Sequence, residues 1–106
     1  MGTQLIYITV GNTDEALKIA SVLVKERLAA CANIIENVRS VYVWNDEFHD
    51  EKEALLLAKT VENRVPELIR RVREIHSYEC PCIVSLPITQ GNTPFLDWVA
   101  SGVDAG

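Results

Sequence analysis

The stretch Val38-Arg39-Ser40-Val41-Tyr42-Val43-Trp44-Asn45-Asp46 decides the fold. β-Branched and aromatic residues recur through its first seven positions, as is typical of a strand. Asn45-Asp46 then provides a turn, because Asn and Asp tolerate backbone conformations that other residues avoid. Residues 48–60 return as a second long strand, although residues 54–60 also contain strong helix formers. The sequence therefore predicts a long antiparallel hairpin, with helix as the alternative for residues 54–60.

Upstream of the hairpin, the sequence predicts one strand and one helix. Residues 4–10 (Gln-Leu-Ile-Tyr-Ile-Thr-Val) have the composition of a short strand. Asn12 and Glu15 have the spacing of a capping box at a helix start. Apolar residues then recur at helical spacing, at Leu17, Ala20, Leu23 or Val24, and Leu28. Residues 30–37 extend the hairpin backwards, with a predicted bulge near Glu36-Asn37.

Downstream of the hairpin, the pattern predicts a helix, a strand and a short terminal helix. Pro66 suits the first turn of the helix. Residues 82–86 form the strand, which Pro87 ends, and Gly91-Asn92-Thr93-Pro94 starts the terminal helix. The order β-α-β-β-α-β plus a C-terminal helix is the split-βαβ, ferredoxin-like arrangement of the α+β class. We expect one domain over residues 1–106, with two helices on one face of a four-stranded antiparallel sheet.

Length and composition disfavour several classes of protein. The chain has 106 residues, 48% hydrophobic and 24% charged, as in an ordinary globular domain. Its net charge of −5 argues against a nucleic-acid partner, which requires clustered Lys and Arg. No apolar run suits a membrane helix and no signal peptide is visible, so we expect a cytoplasmic protein without a membrane partner. Three cysteines, an odd count, are consistent with free thiols in a reducing compartment.

The hairpin is longer than the other strands, which predicts self-association. Each of its strands runs about 12 residues, against about 5–7 for the outer strands. An overhang of about 6 residues would extend on the order of 20 Å beyond the sheet. A lone two-stranded ribbon is only marginally stable, and its edges are unpaired. We therefore expect a homo-oligomer with an aromatic interface formed by Tyr42, Trp44, Phe48 and Trp98.

Six motifs lie in order along nearly the whole chain. They are Glu26-Arg27-Leu28-Ala29-Ala30-Cys31-Ala32-Asn33-Ile34, Ser40-Val41-Tyr42-Val43-Trp44, Glu51-Lys52-Glu53-Ala54-Leu55-Leu56-Leu57-Ala58-Lys59-Thr60, Tyr78-Glu79-Cys80-Pro81, Leu86-Pro87-Ile88 and Phe95-Leu96-Asp97-Trp98. Together they resemble the CutA (divalent-cation-tolerance) family. The resemblance implies a ferredoxin-like homotrimer with intersubunit strand pairing, and an association with tolerance of divalent metals, notably copper. The architecture is also similar to that of PII signalling proteins, which sense metabolites at subunit clefts, and Lys59, Tyr78 and Glu79 are the cleft candidates here.

The loop after the second helix contains the first group of candidate metal ligands. Cys80 and Cys82 place two thiols on one side of an extended chain, four residues after His76. Thiolates are soft ligands that select Cu(I) or Zn²⁺. Small, semi-buried cysteines at the start of a strand would explain the same pair without a metal. Family members with a copper site have a Cys at the end of the first strand and two consecutive His in this loop; Val10, Ile75 and His76 occupy those positions here.

The hairpin contains the alternative group. Glu47, His49 and Glu51 fall on one face at a spacing of two residues, and their carboxylates and imidazole can hold a borderline divalent ion. A solvated acidic edge that suppresses aggregation explains the same residues.

The resemblance, taken with these candidate ligands, implies a trimeric metal-response protein. We expect it to bind copper or another divalent cation weakly and to have no obligatory cofactor. An enzyme is not expected, because no spacing suggests a Ser/His/Asp or Cys/His arrangement. The alternative is a PII-like signalling or scaffold trimer whose subunit clefts bind a small anionic metabolite or a protein.

Overall fold

The computed structural model describes residues 2–103 and shows a four-stranded antiparallel sheet with the first two helices against one face. The elements are β1 (Thr3–Val10), α1 (Thr13–Lys25), β2 (Cys31–Trp44), β3 (Glu47–Val61), a 3-10 turn (Glu62–Arg64), α2 (Val65–Ile75), β4 (Ile83–Pro87) and α3 (Thr93–Ser101). The strands lie in the order β2-β3-β1-β4, and every neighbouring pair is antiparallel. The predicted ferredoxin-like order with a C-terminal helix is confirmed.

The hairpin of β2 and β3 extends well beyond the rest of the sheet. Asn45 and Asp46 form its two-residue loop, and their φ angles are 51° and 64°. Positive φ at both positions is the type I′ geometry, whose twist matches the flanking strands. The pairing of β1 with β3 ends at Ala54, so residues 47–53 of β3 pair with β2 alone. The predicted turn and overhang are both confirmed.

Two further local predictions concern these strands. The pairing of β2 with β3 shifts between Ile35 and Val38, and Asn37 has a φ of 60°, so the predicted bulge is confirmed. Residues 54–60 are strand throughout, and the helix alternative is wrong. Each of these residues pairs with β1, and this tertiary pairing outweighs their local preference for helix.

The core lies between the helices and one face of the sheet. Its largest fully buried side chains include Ile6, Ile8, Ile19, Leu23, Leu56, Leu68 and Val72. One part of the predicted helical stripe is wrong, because Leu17 is 57% exposed. The predicted Ala20, Leu23 and Leu28 are buried, and Ala16 and Ile19 complete the buried face in place of Leu17.

The opposite face of the sheet is covered only in part within residues 2–103. Thr3 and Val61 lie on this face and are buried, and α3 contacts β1 and β3. The remainder is the uncovered sheet face. Side chains alternate across a strand, so the residues between the core positions point to this face. Its apolar members are Leu5, Tyr7, Ile35, Leu55, Leu57, Val84 and Leu86. Ile35, Val84 and Leu86 are each nearly half exposed, at 47%, 48% and 46%. An apolar sheet face of this kind is a candidate interface.

Candidate functional site

The connecting loop, residues 76–82 between α2 and β4, begins with a buried histidine. The His76 side chain is fully buried, and its Nε2 lies 2.9 Å from the carbonyl oxygen of Thr9. Its Nδ1 accepts the backbone N–H of Tyr78 at 3.0 Å. Because Nδ1 is an acceptor, the proton belongs on Nε2, which donates to Thr9. Both ring nitrogens are therefore engaged, and His76 ties the loop to the end of β1.

Glu15 holds the next residue of the connecting loop. Its two carboxylate oxygens accept the backbone N–H and the hydroxyl of Ser77, each at 2.7 Å. One of these oxygens also lies 3.8 Å from Nδ1 of His76. The predicted helix start is confirmed in that Asn12 Oδ1 accepts the N–H of Glu15 at 2.8 Å. The Glu15 side chain, which the sequence assigns to a capping box, is instead directed to the loop.

Tyr78 fixes the connecting loop to the hairpin. Its hydroxyl donates to Oε2 of Glu53 at 2.5 Å, and Glu53 is only 7% exposed. Burial and the hydrogen bond to the Glu53 carboxylate raise the pKa of Tyr78 above its ordinary range. A Cβ at Gly11 would lie 3.4 Å from the Tyr78 hydroxyl oxygen, an ordinary van der Waals contact, so the hydroxyl lies close to the chain at the end of β1. Tyr78 thus remains a neutral donor to a buried carboxylate.

The two loop cysteines are placed differently from His76. Cys80 and Cys82 are free and exposed rather than semi-buried. His76 faces inward, toward Thr9 and Tyr78, so the loop does not bring the three predicted ligands together. Within residues 2–103, no group of three or more His, Cys, Asp or Glu side chains is arranged to hold a metal ion. A metal bound by one copy of the chain would therefore meet the two thiols without the imidazole.

The alternative ligands on the hairpin form a smaller cluster. The ring of His49 stacks on Tyr42 at 4.9 Å, and its Nδ1 lies 3.4 Å from Oε1 of Glu51. The Tyr42 hydroxyl donates to Oε2 of Glu51 at 2.9 Å, and this hydrogen bond raises the pKa of Tyr42. Glu47 pairs across the hairpin with Trp44. His49 and Glu51 are thus adjacent, while Glu47 belongs to no metal-binding group in the described part of the chain.

The predicted interface residues are all exposed in a single chain. The exposed fractions are 38% for Tyr42, 53% for Trp44, 69% for Phe48 and 50% for Trp98. Large apolar side chains left in solvent are what an interface requires. Their role between copies of the chain stays a prediction.

The three predicted cleft residues do not meet within one chain. Lys59 donates to Oδ1 of Asn33 at 2.5 Å on the uncovered sheet face. Tyr78 contacts Glu53, which precedes Lys59 on the same strand by a distance on the order of 20 Å. Glu79 instead borders a shallow cavity of about 400 Å³ along α2, together with Arg70 and Arg73.

A second shallow cavity lies where α1 begins beside the hairpin. It measures about 190 Å³, and its lining includes Asn12, Thr13, Lys52 and Glu53. The ammonium group of Lys52 and the first backbone N–H groups of α1 favour negative charge at this position. The negative charge of the Glu53 carboxylate disfavours an anion there, although one Glu53 oxygen already accepts the Tyr78 hydroxyl.

Comparison with known proteins gives matches over nearly the whole chain. A family model described as "CutA1 divalent ion tolerance protein" matches residues 4–102. The divalent-cation tolerance protein CutA of Thermus thermophilus is 45% identical over 96 residues, which are 91% of this chain and 93% of that protein. Human Protein CutA is 40% identical over 93 residues, but the chain spans only 52% of its length.

Solved structures give the same result. The Thermus thermophilus divalent cation tolerance protein (Cut A1) superposes with a TM-score of 0.93 at 42% identity, covering 96% of this chain and 99% of that one. CutA1 from Oryza sativa superposes with a TM-score of 0.97 at 32% identity, covering 100% and 97%.

The names of relatives leave the location of the protein open. One relative from Arabidopsis thaliana is called chloroplastic, and the structure from Archaeoglobus fulgidus is called periplasmic. Within residues 2–103, none of the helices has the length and apolar character needed to cross a membrane. The cytoplasmic location therefore stays a prediction. The Thermus thermophilus relative is named for divalent-cation tolerance rather than for a reaction, and the absence of catalysis likewise stays a prediction.

Proposed function

The chain belongs to the CutA1 divalent ion tolerance family, and from this premise we propose that it acts as a homotrimer in the response to divalent metal ions. Family membership supports the link to metal ions. The proposed self-association rests on the uncovered apolar face of the sheet. The exposed thiols of Cys80 and Cys82 support direct, weak contact with copper or another thiophilic ion.

The assembly is argued from the surface that one chain leaves uncovered. The overhanging hairpin exposes apolar groups on both of its faces, with Val43 67% and Phe48 69% exposed on one and Trp44 53% exposed on the other. The strands β2 and β4 are the two edges of the sheet. Burial of apolar area and pairing of strand edges both favour association of copies. The number three follows from the family resemblance.

The metal contact is argued from the ligands that remain available. Cys80 and Cys82 are exposed, whereas both nitrogens of His76 are engaged by Thr9 and Tyr78. Two thiolates select Cu(I) or Zn²⁺, but structural zinc sites normally have four protein ligands. Two ligands per chain therefore support weak binding. His49 and Glu51 on the hairpin are the second place where an ion can be held.

A competition titration tests this metal contact. Reduced protein is titrated with Cu(I) in the presence of a chromophoric chelator, and the metal taken from the chelator is measured. We expect uptake to be lost in Cys80→Ser and Cys82→Ser and to persist in the matched control Cys31→Ser. Uptake that survives both loop variants but disappears in His49→Gln would move the site to the hairpin. Uptake unchanged in all of these variants would refute both places.

The cavity beside α1 favours a second candidate function, a PII-like role in binding a small anion. Lys52 and the N-terminal N–H groups of α1 supply the positive potential at this cavity of about 190 Å³. Calorimetry with inorganic phosphate and with ADP tests this candidate. Binding heat that disappears in Lys52→Gln would support it, and an absence of heat with either anion would count against it.

A further inference from the structure

Two anchors bracket the loop cysteines. On one side, Tyr78 donates its hydroxyl to Glu53 and its N–H to His76. On the other side, Ile83 begins β4 and pairs with Ile8. Residues 79–82 between these anchors lie outside helices and strands. This short segment can change its conformation while both anchors stay in place.

We propose that Cys80 and Cys82 form a reversible intrachain disulfide, which makes the connecting loop a redox-sensitive element. Two residues span at most about 7 Å when fully extended, and a disulfide requires a Cα–Cα distance of roughly 4.4–6.8 Å. A small contraction of the extended chain at Pro81 therefore brings the two Cα atoms into this range. The intervening Pro81 has no N–H, so closing the ring sacrifices no backbone donor at that position.

The fold excludes Cys31 as the partner within the same chain. Cys31 begins β2 at one edge of the sheet, whereas Cys82 precedes β4 at the other edge. Three strand spacings separate the two edges, or about 14 Å at about 4.8 Å each. This distance is far outside the range of a disulfide. Cys80 and Cys82 are therefore the pair that one chain can join.

The oxidation needs a co-reactant, for which a low-molecular-weight disulfide such as oxidised glutathione is suitable. One cysteine thiolate attacks a sulfur of oxidised glutathione, forms a mixed disulfide and expels one glutathione thiolate. The second cysteine thiolate then attacks the protein sulfur of the mixed disulfide and expels the second glutathione thiolate. The protein loses two electrons and two protons, and the products are the intrachain disulfide and two molecules of reduced glutathione.

This inference rests on the same two thiols as the proposed metal contact. It makes that contact depend on redox state, because cysteines joined in a disulfide no longer bind Cu(I). The oxidation itself requires no metal. Failure of copper uptake and failure of disulfide formation are therefore separate results. If the disulfide forms but Cu(I) does not bind the reduced protein, the redox inference is supported and the proposed metal contact is refuted.

Peptide mapping of metal-free protein tests the inference. The full chain is equilibrated with EDTA and a graded series of glutathione redox ratios, quenched with acid, alkylated and digested with trypsin. The digest places Cys80 and Cys82 together in residues 74–106 and Cys31 alone in residues 28–39. On oxidation, we expect alkylation to fall from three cysteines to one, with an internal disulfide in residues 74–106.

Matched variants make the result decisive. Cys31→Ser should oxidise as the natural chain does, whereas Cys80→Ser and Cys82→Ser should each lose the internal disulfide. Two alkylated cysteines in residues 74–106 at every redox ratio would overturn the inference. A cross-link to residues 28–39, or between two copies of residues 74–106, would overturn it as well.

Discussion

Replacing Tyr78 by Phe tests the contact that holds the connecting loop to the hairpin. The substitution keeps the ring and removes the hydroxyl that donates to Glu53 at 2.5 Å. Glu53 is 7% exposed, so water cannot readily replace the lost donor. The direct consequence is a buried carboxylate without its hydrogen bond.

The expected loss of stability follows from that carboxylate. A hydrogen bond to a charged group contributes about 1.5–3 kcal/mol, and a buried group left unsatisfied costs a similar amount. We therefore expect the free energy of unfolding to fall by about 2–3 kcal/mol at neutral pH. For a domain of this size, the melting temperature should fall by roughly 8–24 °C.

Urea unfolding at one fixed protomer concentration measures this loss. The concentration must be constant, because self-association makes apparent stability depend on it. Tyr42→Phe is the matched control, since its hydroxyl donates to Glu51, which is exposed. The control should lose clearly less stability than Tyr78→Phe. Equal losses in the two variants would refute the assignment of Tyr78 as a structural donor to a buried acid.

The pH dependence gives the same test a second readout. Burial and Glu53 raise the pKa of Tyr78 in the folded protein, so folding favours the neutral phenol. This stabilisation is present below the ordinary tyrosine pKa of about 10 and is lost as the pH rises above it. The stability gap between the natural chain and Tyr78→Phe should therefore narrow above about pH 10. A gap that stays constant with pH would contradict the cause assigned to the shift.

Three further predictions test the fold and its surface. Asn12→Ala removes the cap of α1 and should lower the free energy of unfolding by about 1 kcal/mol, whereas Asn12→Ser keeps a capping oxygen and should lose much less. Equal losses of unfolding free energy for the two variants in urea would argue against the cap. Leu56→Ala should cost about 2–5 kcal/mol in the same assay, because Leu56 is fully buried. Leu17→Ala should lower the free energy of unfolding far less than Leu56→Ala does. A larger loss for Leu17→Ala would contradict the observed buried face of α1. Arg71→Gln should raise the pKa of Glu26, which the Arg71 guanidinium lowers by hydrogen bonding, and an unchanged NMR titration of that carboxyl would contradict the ion pair.

The hairpin was predictable because its signals are local. Asn45 and Asp46 lie together at the turn, and the β-branched residues around Val41 alternate along the strand. The stripe of α1 was predictable only in part, because a helical period through Ala16 and one through Leu17 share Ala20 and Leu23. Only the position of the sheet beneath the helix decides between the two, and that position is set by residues far away in the sequence.

The connecting loop was not predictable for the same reason. His76 looks like a ligand in the sequence, but its partner Thr9 lies 67 residues away, and only the folded chain shows the contact. Glu15 similarly lies 62 residues from Ser77. The capping-box spacing identified Glu15 as important and assigned its side chain the wrong partner. The exposure of Cys80 and Cys82 also became visible only once β4 and Tyr78 had fixed both ends of the segment.

Native mass spectrometry of the reduced protein tests the central claim most directly. At micromolar concentration, we predict a single species at three times the 11.8 kDa mass of the chain. Added Cu(I) should increase that mass in multiples of three copper ions, because each copy carries one Cys80 and Cys82 pair. A trimer that remains free of copper would contradict the metal contact while leaving the assembly intact. A monomer would contradict the account of the uncovered sheet face and the overhanging hairpin.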